Sequence, residues 1–304
     1  GVHLGPIFAF YDEPEDRAGA ILEEAMGEEP LVDFEDEGVR HTLWRLADPS
    51  AIRALRGILA GREVFIADGH HRYETSLDLQ ERWRQGRGKG EGAWDETLMF
   101  LANARDPGMV LLATHRLLVR KPLRGLGALR GLEGEFDLSR VPLEREAPGL
   151  ALARRLAELG RGESGQKRTA FALYAGGGEA TLLVRRAPSP LGEGLSLDEA
   201  IAGLDVSLLH RRILGEVLGT AGGGVEEDLR YTPDPEEALA AVRRGECGAA
   251  FLLNPARIEE VQSIARGGGR MPHKTTYFYP KLRTGLLFHP FDLSVLGSTE
   301  LAEV

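Results

Sequence analysis

The chain has 304 residues, 42% of them hydrophobic, and carries a net charge of −10. That length suits one large or two moderate domains, and the acidic balance disfavours non-specific nucleic-acid binding while leaving room for a local basic pocket. No apolar run is long enough to span a membrane, the first residues lack a signal sequence, and the lone Cys247 excludes an internal disulfide or a multi-cysteine zinc site, so a reducing, cytoplasmic setting is expected.

Residue 1 is glycine and an apolar strand follows at 6–11, an abrupt start that reads as a fragment or a processed product. Residues 13–26 have the apolar spacing of an amphipathic helix. A strand is expected over 38–46, and Asp48-Pro49-Ser50 opens a helix through 59. A short strand at 64–67 then turns at Asp68-Gly69 into a helix over 72–83. A glycine-rich surface loop follows at 86–92. The apolar runs 97–104 and 109–120, joined by Arg105-Asp106-Pro107-Gly108, read as a hairpin. Residues 123–148 are irregular, 150–159 are helical, and 168–174 with 180–186 flank a glycine turn as a second hairpin. Helices are expected over 195–203, 206–219, 235–244 and 258–266, with a glycine turn at 221–224 and a strand at 248–253. The aromatic tail 270–288 reads mainly as strand. The fold class is α+β with a mixed sheet, in two lobes, 1–124 and 125–304. The tail is expected to return to the first lobe's site.

The turn after the strand at 64–67 concentrates chemistry. A strand that ends in a glycine turn and enters a helix aims free backbone N–H groups and the positive end of the helix dipole at one point. Gly69 permits a left-handed turn and close ligand approach, and Arg72 carries a permanent fork of donors for phosphate or carboxylate. Asp68 suits a cation, a proton or simply the cap of the helix. His70 and His71 can titrate near neutrality. A second cluster, Met271 to Lys281, holds Lys274, Thr275, Thr276 and Lys281 in a chain otherwise poor in lysine. These offer charge and hydroxyl donors to a phosphate, or belong to an edge strand with solvated lysines. In Thr114-His115-Arg116, a strand places His115 on the face opposite its neighbours. Asp205 reads as a helix cap and His210 as a helix-surface residue. A zinc site built from His70, His71 and His115 lacks the helical histidine spacing that would support it.

These three stretches, Ile66 to Tyr73, Thr114 to Arg116 and Met271 to Lys281, resemble the signatures of a prokaryotic family, domain of unknown function 1015. The resemblance runs over nearly the whole chain. Members carry a further segment ahead of this chain's first residue, and usually a serine where Thr275 stands. More distantly, Gly69-x-x-Arg72-x-x-Thr75 is similar to a motif of the ParB/sulfiredoxin superfamily, in which the glycine turn and arginine bind nucleotide phosphates. A free serine kinase with a related Asp-Gly-His-His-Arg stretch belongs there. The alanine of that motif is Thr75 here, and the reactive cysteine of sulfiredoxins is replaced by histidine.

The resemblance implies a nucleotide- or polyphosphate-dependent phosphotransferase acting on a small molecule, with Mg²⁺ and ATP or ADP as its cofactors. Gly69, His70, His115, Arg116, Lys274, Thr275, Thr276 and Lys281 would join Arg72 in holding phosphates. Asp68, His71 and Glu74 would serve catalysis, with Asp68 also the metal ligand. The alternatives are a nucleotide-binding switch or partner-binding protein without turnover, and a metal-dependent hydrolase.

Overall fold

The computed structural model describes residues 2–36, 38–87, 92–119, 126–162, 167–187, 195–217 and 228–291. Most of the expected loop at 86–92 and all of the turn at 221–224 lie outside the described residues, as does the expected lobe boundary at 124/125. The chain forms two compact units, Gly1–Val110 with Pro280–Val304, and Leu111–Tyr279. Both combine helices with sheets, and the fold is α+β.

In the first unit the apolar run Ile7–Tyr11 is buried at all five positions, which is what a strand covered on both faces requires. It is the middle strand of a three-stranded mixed sheet. Phe65–Asp68 pairs with it antiparallel and Met99–Asn103 parallel. Phe10 stacks on Phe65 with ring centroids 5.2 Å apart. Helix Pro49–Leu59 starts where Asp48 accepts the Ala51 N–H at 2.8 Å, with proline in the first turn. Helix His70–Arg87 leaves the end of Phe65–Asp68 with one residue, Gly69, between them. Val32–Asp36 and Val39–Leu43 form an antiparallel hairpin. Its first strand escapes the periodicity reading because Asp33, Glu35 and Asp36 dilute the apolar signal.

The hairpin expected around Arg105 to Gly108 does not form. The turn itself is present, with the Met109 N–H donating to the Asp106 carbonyl at 3.0 Å. Its flanking strands nevertheless take other partners. Met99–Asn103 pairs with Ile7–Tyr11, and Val110–Leu112 pairs with Tyr277–Tyr279. A turn signal with two apolar flanks shows that the chain bends there, not that the flanks face each other.

The second unit is built on a six-stranded sheet in the order Leu229–Thr232, His115–Leu118, Ala249–Leu253, Ala170–Tyr174, Glu179–Arg185, Phe136–Pro142. Every neighbouring pair is antiparallel. The expected hairpin Ala170–Tyr174 with Glu179–Arg185 is there. Side chains alternate between two cores, as the period of two demands. Ala170, Ala172 and Tyr174 share one face with Leu152, Leu156, Leu239 and Val242 of helices Pro148–Leu159 and Pro235–Arg243. Phe171 and Leu173 share the other with Leu129, Leu132, Leu209 and Ile213. Gly149 lets the two helices of the first face cross closely: a Cβ there would lie 2.4 Å from the Pro235 carbonyl oxygen.

Four further expectations change. Phe136–Pro142, read as irregular, is the edge strand of the sheet; its exposed Asp137, Ser139 and Arg140 interrupt the apolar alternation on both faces and hide it from a periodicity reading. Leu229–Thr232 is the strand at the opposite edge and was not expected. The helix expected over 206–219 is a short α-turn, Asp205–Leu208, followed by a π-helix, Leu209–Val217. In the tail, strand is confined to Tyr277–Tyr279 and His289–Pro290, since Pro272 and Pro280 lack the N–H a ladder needs.

Candidate functional site

The first unit holds the strand–glycine–helix junction, and its local geometry follows from Gly69. That residue sits at φ +92°, and a Cβ on it would lie 2.8 Å from two nitrogens of the Arg72 guanidinium. Only glycine allows both the backbone angle and the arginine lying across it. The first helical hydrogen bond runs from the Tyr73 N–H to the Gly69 carbonyl at 3.0 Å, so the amides of residues 70–72 fall outside the helix's own bonding pattern. Arg72 donates to the Pro6 carbonyl at 2.5 Å through Nη1 and to Asp68 Oδ2 at 3.3 Å through Nη2. Lys281 Nζ stands 3.8 Å from the other oxygen of the same carboxylate. Asp68 therefore lies between two cations. All three side chains are nearly half exposed, at 47%, 44% and 43% for Asp68, Arg72 and Lys281.

Asp68, His71 and Arg72 line a cleft of about 670 Å³, together with Thr75, Thr284 and the apolar Phe291. Volume and mixed lining suit a small organic ligand with an anionic end. His71 is exposed and its Nδ1 lies 3.2 Å from Glu74 Oε2. His70 opens the helix on its exposed side. Two lining residues carried no local signal in the sequence. His3 Nε2 lies 2.9 Å from Ser76 Oγ, a contact between residues far apart in the chain that no spacing rule anticipates.

The remaining expected residues belong to the second unit. Thr114, His115 and Arg116 are all buried, at 5%, 2% and 1% exposure, so none lies on a solvent face of its strand. His115 Nδ1 accepts the Leu253 N–H at 3.3 Å. Burial, and then the Arg116 charge, hold this imidazole down at about 4, which keeps it neutral in ordinary buffers. Arg116 is pulled down to about 10 by burial, against a smaller opposing effect of Tyr231. Its guanidinium donates to the Thr114 carbonyl, to the Lys274 carbonyl at 2.8 Å and to His210 Nε2 at 3.3 Å, and faces the Tyr231 ring at 5.6 Å. His210 is thus a partner of a buried arginine, delivered by the π-helix. Lys274 is exposed and left-handed at φ +55°, Thr275 is buried and donates to the Pro272 carbonyl at 2.6 Å, and Thr276 is half-buried.

Beside these lies a charged cluster that the sequence reading missed. Lys167 Nζ contacts Glu260 Oε1 at 2.5 Å and Asp205 Oδ1 at 3.2 Å, with all three side chains almost fully enclosed. Thr169 donates to Asp205 Oδ1 at 2.8 Å. Asp205 is therefore turned into the core and does not cap its helix. Burial pushes its carboxyl up, with Lys167 opposing. Asp205 Oδ2 has no hydrogen-bond partner among the described residues and adjoins a cavity of about 10 Å³ that Arg116 and Thr275 also line. The one available signal was that Lys167 is among the few lysines of the chain. Among the described residues no group of three or more histidine, cysteine, aspartate or glutamate side chains is arranged to hold a metal, and no helix is long and apolar enough to cross a membrane.

Residues 1–207 match the family model described as a protein of unknown function (DUF1015). No curated protein matches the sequence. Similar solved structures include a conserved hypothetical protein from Pyrococcus furiosus, at 17% identity and TM-score 0.34, covering 91% of this chain and 90% of that one. A free serine kinase in complex with AMP gives 17% and 0.34, covering 91% and 88%. A variant of a free serine kinase in complex with ADP gives 17% and 0.35, over the same shares.

Proposed function

Since the chain belongs to the DUF1015 family, whose description names no activity, we propose its function from the cleft itself: a small-molecule phosphotransferase that takes its phosphoryl donor, a nucleotide such as ATP or ADP, at the junction of Asp68, Gly69 and Arg72. The observation that carries this reading is the guanidinium of Arg72 laid across a left-handed Gly69 at a helix start, on the wall of a cleft of about 670 Å³. Helix-start amides and a bidentate cation are the elements that hold phosphate oxygens.

Phosphoryl transfer needs mainly positioning and charge neutralisation. Arg72 and the amides of residues 70–72 hold the donor's terminal phosphates, and Lys281 neutralises charge on the opposite side of Asp68. Asp68 fits Mg²⁺ as a single carboxylate ligand, because that ion commonly takes one or two carboxylates and completes its shell with phosphate oxygens and water. Bound there, Mg²⁺ would supply charge neutralisation between the phosphates. His71, oriented by Glu74, is the exposed hydrogen-bonding group at the cleft's edge. One geometric feature favours a second reading, nucleotide binding without turnover: both oxygens of Asp68 face cations in this structure, at 3.3 and 3.8 Å, which ties the carboxylate to Arg72 and Lys281.

Calorimetric titration of ATP, ADP and pyrophosphate with Mg²⁺, on the wild type and on Arg72→Ala, tests the site. Binding by the wild type that Arg72→Ala abolishes is the expected result; binding that survives the substitution sinks it. Asp68→Asn then separates the two readings. A phosphotransferase loses turnover, whereas a binding protein has no rate to lose.

A further inference from the structure

His3 and Ser76, 2.9 Å apart on the cleft wall, have the look of a nucleophile and its base. The hydrogen bonds say otherwise. His3 Nδ1 faces the Leu98 N–H at 3.2 Å, and a backbone amide can only donate, so Nδ1 is an acceptor and carries no proton. The Thr97 hydroxyl, 3.3 Å away, reaches the same nitrogen. Ser76 spends its own hydrogen on the Arg72 carbonyl at 2.7 Å. The single ring proton therefore sits on Nε2 and is donated to Ser76 Oγ. An imidazole protonated on the nitrogen that faces the serine cannot take the serine's proton.

The same bonds give His3 a different task. Through Ser76 it is tied to helix His70–Arg87 one turn beyond Arg72, and through Leu98 to the residue just ahead of strand Met99–Asn103. Its own strand, Val2–His3, pairs with His289–Pro290. Three residues on, the Pro6 carbonyl holds the Arg72 guanidinium at 2.5 Å, and Gly5 passes so close that a Cβ on it would lie 3.5 Å from Arg72 Nη1. We propose that neutral His3 is a positioning residue of the cleft: it fixes the segment of residues 3–6 against the helix so that Pro6 can hold Arg72, and protonation of His3 undoes this and weakens phosphate binding. The positioning role rests on the reading of the cleft as a phosphate site; the tautomer does not.

A proton added to Nδ1 would point at the Leu98 N–H, and one of the two contacts would have to break. Among the described residues the groups around the ring are few. The tail strand contributes His289, with ring centroids 5.7 Å apart and its own Nε2 donating to the Ala93 carbonyl at 2.9 Å, and it leads to Phe291, whose ring meets His3 edge-on at 4.5 Å. The helix contributes the Ser76 hydroxyl and, a turn away, the Arg72 cation; residues 97 and 98 contribute a hydroxyl and an amide. None of these is an anion that would favour a charged imidazole. Burial first, and the neighbouring His289 second, hold the His3 pKa below its ordinary value.

Nitrogen NMR of the histidine rings, with Mg²⁺-pyrophosphate titrations near pH 7.5 and pH 5 on the wild type and on His3→Asn, tests this. Asparagine keeps an acceptor for Leu98 but cannot take a charge. The expected result is an Nε2-protonated His3 at pH 7.5, an affinity falling about fivefold or more in acid for the wild type, and a markedly flatter profile for His3→Asn. An Nδ1-protonated His3 at pH 7.5 overturns the proposal and leaves the phosphate reading standing. Equal acid loss in His3→Asn overturns it as well. No pyrophosphate binding at either pH, with the expected tautomer, overturns the phosphate reading and the positioning role together.

Discussion

Gly69 is the residue on which the cleft depends most locally. Alanine in its place would have to hold φ +92° and would set its Cβ 2.8 Å from the arginine nitrogens. The backbone angle alone costs about 1–2 kcal/mol for an L-residue, and the collision drives Arg72 off the turn. Gly69→Ala should therefore lose Mg²⁺-pyrophosphate binding in calorimetry and about that much stability in urea denaturation. Wild-type affinity in this variant would show that the arginine reaches its ligand from elsewhere. The motif itself was legible: a strand, then Asp68-Gly69, then an arginine on the first turn of a helix. His3 was not, because it reaches Ser76 across 73 residues of sequence separation. Arg116 was legible as a charge in a strand, but its burial depends on the layer that covers it.

At the scale of elements, the packing of helices Pro148–Leu159 and Pro235–Arg243 is set by Gly149. A methyl group there meets the backbone of Pro235 and Glu236 at 2.4 to 2.7 Å, which no rotamer change relieves. Gly149→Ala should cost about 1–3 kcal/mol, as overpacking of a well-filled contact does, and show as a lower urea midpoint without change in m. A neutral result would mean that the two helices can separate freely. The hairpin that failed to form around Asp106 belongs to this scale too. Local turn chemistry worked for Ala170–Tyr174 and Glu179–Arg185, where the same face of both strands is apolar and the connection is short. It misled at Met99–Asn103, where the better partner was the wholly apolar strand Ile7–Tyr11.

For the whole molecule, the buried imidazole of His115 makes stability depend on acid. His115 stands at about 4 in the folded protein because of burial and the Arg116 charge, against about 6.5 when unfolded. Between those values the unfolded chain binds the proton and the folded one resists it. Stability from this residue is thus fully present above about pH 6.5 and is lost as the pH falls toward 4. The difference corresponds to about 3 kcal/mol. Urea denaturation at pH 7.5 and pH 4.5 should show His115→Asn losing less stability on acidification than the wild type; parallel losses would assign the acid response to carboxylates.

What the sequence determined by itself was local and periodic. The apolar run at Ile7–Tyr11, the helix starts at Asp48 and Pro235, the hairpin at residues 175–178 and the glycine–arginine turn all lie within windows where neighbours in the chain decide the conformation. Only the tertiary structure decided which strands pair, which polar residues are buried, and that Lys167 finds Glu260 across 93 residues. The reason is physical. A period of two or of 3.6 says that a face will be covered, but the partner that covers it is chosen by burying the most apolar surface and leaving the fewest polar groups unpaired, a comparison made over the whole chain at once.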